Sequence, residues 1–126
     1  MKIGVTLSEG HGLDSEICIH FGQCSHFLLV DVENGQITGF TTVPNTGIHG
    51  EGCQAVEEIL KYNITHMVAG GMGINARQKF AKAGVPIYGC NGKARHAVDA
   101  LLANKLKQGI DACENHGGGG LPPGNR

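Results

Sequence analysis

HFLLVDVENGQITGFTTV, residues 26–43, decides the fold class of this chain. His26 to Val32 is nearly continuous in apolar character, the pattern of a strand covered on both faces and so central in its sheet. Asn34-Gly35 follows, the strongest short hairpin signal, because both residue types accept the positive φ of a two-residue turn. Gln36 to Val43, rich in β-branched residues, then returns as an antiparallel strand.

Working outward, Lys2 to Leu7 is a short strand and residues 8–25 form a long loop. Such loops are uncommon in compact domains unless they do something. Past the hairpin, Gly50 to Tyr62 reads as a helix with an apolar stripe of Ala55, Val56, Ile59 and Leu60, and with Cys53 on the same side. His66 to Ala69 is a strand closed by Gly70-Gly71-Met72-Gly73. Ile74 to Ala83 is a helix with basic residues in its last turn and Gly84 as its cap. Val85 to Tyr88 is a strand entered through Pro86, which places it at an edge. Asn91 is the expected N-cap of a last helix from Ala94 to Leu106. The order is β-β-β-α-β-α-β-α, and the expected fold is three-layer α/β with a mixed five-stranded sheet. The expected organisation is a single domain over residues 1–108. A flexible glycine-rich tail over 109–126 contains Pro122-Pro123 and has no apolar pattern.

Composition excludes several classes. A chain of 126 residues suits one domain. A net charge of −1 supplies no field to gather nucleic acid. The first strand is too short for a signal-peptide core. No apolar run approaches the roughly 20 residues of a membrane span. The expectation is a cytoplasmic protein with no nucleic-acid or membrane partner. Five cysteines, an odd count without a signal segment, are expected as reduced thiols rather than a disulfide framework.

The strand order also fixes where the loops go. With strand 1 pointing up, strand 2 runs down and strand 3 up, and right-handed helical crossovers keep strands 4 and 5 up. Loops 8–25, 44–50, 70–73 and 89–92 then leave the same upper edge, where open α/β sheets bind ligands. Thiolate and imidazole, soft and borderline metal ligands, gather in those loops. Cys18, His20, Cys24 and His26 recur at short spacing, though not at the spacing of a zinc ribbon. His49 and Cys53 are four apart across a helix start, where the dipole lowers a thiol's pKa; Cys53 could equally pack in the core. Cys90 precedes Asn91-Gly92 at the end of a strand. The expected metal shell is His20, Cys24, His49, Cys53 and Cys90. Backbone donors from Gly70, Gly71, Met72, Gly73, Asn91 and Gly92 are expected to face the bound group. Cys113 and His116 make a Cys-x-x-His step in the tail that could close over a bound metal; the reading leans to inert. His66 and His96 are read as structural.

His20-Phe21-Gly22 ahead of the Phe-Leu-Leu-Val-Asp-Val strand resembles the dinitrogenase iron–molybdenum cofactor biosynthesis family. So do the Gly70-Gly71-Met72-Gly73 turn and the Gly84-Val85-Pro86-Ile87 strand entry, and the resemblance covers residues 1–106. It implies a ribonuclease-H-like fold with strand order 3-2-1-4-5 and strand 2 antiparallel. It implies a small carrier, as found in anaerobes, that binds an iron–sulfur or molybdenum-containing cluster and exchanges it with a donor or acceptor protein rather than catalysing a reaction. The matching positions are His20, the glycines at 70, 71 and 73, and the loop after strand 5. Cys18, Cys24, Cys53 and Cys90 are not assigned to a family-wide pattern, and the expectation is that they mark a specific cargo whose identity stays open. Two rival readings stand beside this one. A nuclease needs several carboxylates to hold two metal ions, and strand 1 has none, with only scattered Glu9, Asp14, Glu16 and Glu51 above it. A thiol-dependent redox protein or enzyme would use Cys53 or Cys90, without the support of a Cys-x-x-Cys motif.

Overall fold

Five strands and three α-helices make up a computed structural model that describes residues 1–21, 24–45 and 52–109, the side chains of 52–54 excepted. The strands are β1 (Lys2–Leu7), β2 (His26–Glu33), β3 (Gln36–Pro44), β4 (His66–Ala69) and β5 (Ile87–Gly89). The helices are α1 (Gly52–Leu60), α2 (Ile74–Lys82) and α3 (Ala94–Leu102). The sheet order is β3-β2-β1-β4-β5, with β2 antiparallel to both neighbours and β1, β4 and β5 mutually parallel, as expected.

Side chains alternate across each strand, and β2 shows why it lies inside the sheet. Phe27 and Leu29 enter one core, with Ala55, Val56 and Ile59 of α1 and Ala76 and Phe80 of α2. Leu28, Val30 and Val32 enter the other, with Leu13, Ile17 and Ala94, Ala97, Val98 and Leu101. The sheet is thus sandwiched between α1 and α2 on one face and α3 with the 8–21 segment on the other. The long segment after β1 is not bare loop. It contains a 3-10 turn at Gly12–Asp14, and Ile17 pairs with Leu7 and Glu16 with Lys93 as isolated bridges.

The turn chemistry acts as read. Asn34 and Gly35 take φ of 55° and 78°, the double left-handed geometry of the hairpin turn. Gly84 at φ 75° ends α2, its N–H donating to the Ala81 carbonyl and that of Val85 to Phe80. Other boundaries move. α1 ends at Leu60, short of Tyr62, and Asn63 beyond it is left-handed at φ 61°. α3 ends at Leu102 rather than Leu106. Asn104 turns left-handed at φ 59°, and the Lys105 N–H reaches back to the Ala100 carbonyl at 2.8 Å. Asn91 does not cap α3. Lys93 holds that position without a side-chain bond, and the Ala94 N–H donates to the Ser15 carbonyl instead. β3 carries an unforeseen bulge: Ile37 faces Val32 and Gly39 faces Asp31, leaving Thr38 extra.

Gly109 bridges Tyr88 in parallel, its N–H donating to the Ile87 carbonyl at 2.6 Å. The first residue of the expected tail therefore flanks β5. The remainder of that tail, residues 110–126 with Cys113 and His116, lies outside the described residues. No helix among the described residues is long and apolar enough to cross a membrane.

Phe80 anchors α2 to the segment below the upper edge, meeting Phe21 edge-to-face at 5.6 Å between ring centroids. Its side chain is fully buried. Phe80→Ala is expected to cost about 3–5 kcal/mol of unfolding free energy, read by denaturant titration.

Candidate functional site

Three of the segments at the upper edge are bonded into one rim. Cys18 lies at its centre: its N–H donates to the Thr6 carbonyl at the end of β1, and its own carbonyl accepts the Gly70 N–H at 3.1 Å. The buried Thr6 hydroxyl donates to the same carbonyl at 3.4 Å. Phe21 N–H reaches the Gly71 carbonyl at 3.2 Å, and Ile17 N–H the Gly92 carbonyl at 2.8 Å. Cys90 continues β5, its N–H on the Ala69 carbonyl. The segment after β1 is thereby threaded between the glycine turn after β4 and the turn after β5.

Gly70 makes this threading possible. A Cβ there would stand 2.7 Å from the Cys18 carbonyl oxygen, 2.9 Å from Asn91 Oδ1 and 3.0 Å from the Ile19 Cα. Two of those atoms are backbone and have little room to yield. The expectation that the turn's amides face a ligand is therefore corrected at Gly70, whose N–H is already engaged by Cys18. Met72 turns its side chain into the core, fully buried, and offers the rim only backbone. Gly73 precedes α2, and its carbonyl accepts the Arg77 N–H. Asn91 and Gly92 are exposed on the rim.

The thiols and imidazoles divide by exposure. Cys18 is half-buried, and its Sγ donates to the His20 carbonyl at 3.2 Å; burial pushes its pKa up. His20 itself is exposed. Cys90 is half-buried on the α3 side of the sheet, with its Sγ 3.5 Å from the Asn91 carbonyl. Cys24 is fully buried in the α1/α2 core. Burial, and then the charge of nearby Cys18, push its thiol up to about 12, only partly offset by the Asn45 amide that donates to its Sγ at 3.4 Å. In this conformation Cys24 is a neutral packing residue. Cys53 falls in the first turn of α1 with its side chain outside the described residues, and His49 lies outside them altogether. Among the described residues no three of His, Cys, Asp and Glu converge closely enough to hold a metal ion.

Sequence reasoning missed the residues that hold the rim. Thr6 and Asn45 are polar, buried and bonded to Cys18 and Cys24, yet each looks like an ordinary strand-end residue. Cys18, in the same loop as Cys24, stands outside the expected shell. Ion pairs also fasten the start of α3, with Lys93 Nζ 3.6 Å from Glu16 and Arg95 Nη2 3.1 Å from Asp14. Exposed as they are, they register position more than they stabilise.

The family model described as dinitrogenase iron-molybdenum cofactor matches residues 1–104. The chain belongs to that family. An uncharacterized protein of Methanocaldococcus jannaschii is 31% identical over 112 residues, which span 86% of this chain and 91% of that one. A candidate NifB protein from Thermotoga has the same fold at 25% identity, with a TM-score of 0.71 over 85% of this chain and 91% of its own. The apo orange protein of Desulfovibrio gigas superposes with a TM-score of 0.76 at 24% identity, over 86% of this chain and 92% of its own. The two solved structures share the overall fold of this chain.

Two outcomes are expected at the rim. Gly70→Ala, forced against backbone, should cost about 1–3 kcal/mol and should speed alkylation of Cys18 in a thiol-trapping assay. Cys24 adds a pH dependence. Its folded pKa lies above the ordinary 9.0, so the neutral form is favoured in the fold, and its contribution is complete below pH 9 and lost as pH rises toward about 12. Between those values the wild type should lose stability more steeply than Cys24→Ala, measured by denaturation across pH.

Proposed function

We propose that this chain is a carrier rather than an enzyme. It receives an iron–sulfur or molybdenum-containing cluster at the upper edge of its sheet and passes it between a donor and an acceptor protein in the reducing cytoplasm. The observation that carries the reading is the bonded rim around Gly70, with half-exposed Cys18 and Cys90 and exposed His20 on it, in a member of the iron-molybdenum cofactor family. Cluster cargo is the substrate here, and the donor set suits it. Thiolates bind iron, copper and metal–sulfur units in preference to harder ions. Both accessible thiols must lose a proton to bind, so loading releases protons and strengthens with rising pH. A rim that is half-exposed rather than enclosed suits cargo that must also leave.

The shell in this reading is drawn from Cys18, Cys90 and His20, which do not meet closely enough for a single metal ion and would have to close on a larger cluster; His49 and Cys53 are candidates from the sequence alone. Cys24 is left out because its thiol is buried, neutral and hydrogen-bonded. The test is anaerobic reconstitution with ferrous iron, sulfide and molybdate, followed by metal analysis and visible absorption. Wild type is expected to retain stoichiometric metal, and Cys18→Ser and Cys90→Ser to lose most of it. Cys24→Ser should keep its metal while losing about 1–3 kcal/mol of stability from a buried hydroxyl. A colourless wild type holding less than about one-tenth equivalent of each metal would overturn the carrier reading, since a true site is stoichiometric and stabilised by its metal.

A further inference from the structure

The two edges of the sheet are finished differently. β5 is three residues long, follows Pro86, and is flanked by Gly109. β3, the other edge, is nine residues long, and no charged residue occurs from Gln36 to Pro44. An open edge presents unpaired N–H and C=O groups that template another strand, and proteins blunt it with short strands, charges, proline or a bulge. The bulge at Thr38 disrupts the lower part of β3, and Pro44 closes the top. Between them the register is unbroken, from Gly39 opposite Asp31 to Val43 opposite Phe27. Phe40 is 50% exposed, and Thr41 beside it is exposed.

We propose that β3 pairs antiparallel with β3 of a second copy of this chain, about a two-fold axis through Thr41, joining the two sheets edge to edge. In an antiparallel pair, directly opposed residues share a face and a hydrogen-bonding class. A two-fold axis therefore passes through a residue, not between residues. Centring on Thr41 sets Thr41 against its own copy, Phe40 against Thr42 of the second copy and Gly39 against Val43 of the second copy. Threonine pairs and aromatic against β-branched pairs are among the favourable cross-strand combinations. Like charges facing each other across such an axis would oppose pairing, and this strand has none to bring together. The Phe40 ring is also supported on its face. A Cβ on Gly12 would lie 3.2 Å from Phe40 Cε2, so the 3-10 turn runs directly alongside it.

The axis stands perpendicular to the sheet, so the two rims point in opposite directions and neither covers the other. Pairing is therefore independent of cargo, and its success or failure leaves the carrier reading untouched. Strand-edge contact of this length belongs with the small interfaces, below about 1,200 Å² in total, so association should be weak and concentration-dependent.

The experiment is sedimentation velocity on the cargo-free full chain over a concentration series. Wild type is expected to move from monomer to dimer as concentration rises, with slowed hydrogen exchange confined to Gly39–Val43. Thr41→Lys, which opposes two ammonium groups at the axis, should raise the dissociation constant by about tenfold with unchanged thermal unfolding of the monomer. Thr41→Val, which keeps the pairing, should leave the dimer intact. A wild type that stays monomeric throughout overturns the proposal, and so does a dimer that Thr41→Lys does not weaken.

Discussion

The close approach of the Cys18 carbonyl to Gly70 organises the functional end of this molecule. A carbonyl oxygen 2.7 Å from the place where a side chain would begin leaves room only for glycine. Through that contact the segment after β1 is tied to the turn after β4, and through Gly92 to the turn after β5. Without it, residues 8–21 would be a loop beside the sheet. With it they become part of the layer that also holds α3, and Leu13 and Ile17 join the second core.

The same constraint sorts the cysteines. Cys18 is held with its backbone spanning two strand ends, so its thiol stays at the surface. Phe21 then dips into the first core and packs against Phe27 and Phe80, drawing the chain inward toward Cys24. Asn45 closes over Cys24 with bonds to its carbonyl and its sulfur. Desolvation does the rest: a thiol without water holds its proton far above neutral pH. Two cysteines six positions apart in one loop thus have opposite chemistry. Cys18 keeps its sulfur at the surface, and Cys24 packs in the core.

The sheet explains why the rim faces one way and the edges another. Parallel β1, β4 and β5 deliver their carboxyl ends, and the loops that follow, to a single side. The antiparallel hairpin of β2 and β3 adds width to the sheet. Its outer strand is left long and uncharged, whereas β5 is short and flanked.

Sequence by itself determined the element order, the central place of β2, the Asn34-Gly35 turn, the Gly84 cap and the edge position of the strand after Pro86. Each of these rests on local steric rules or on a hydrophobic period that any window of the chain displays. It also placed the loops that carry Cys18, His20 and Cys90 at one edge, because topology follows from element order. Only the tertiary structure decided the bulge at Thr38, the early end of α3 at Asn104 and the fate of each rim residue. Burial in a loop has no period: whether Cys18 or Cys24 meets solvent depends on Phe21, Asn45 and Thr6, which reach them through space. Gly70 has the same lesson in its backbone. Its sequence context suggested amides free to face a ligand, but a carbonyl from a segment some fifty residues earlier in the chain already occupies its N–H, and no local pattern can announce a neighbour that distant.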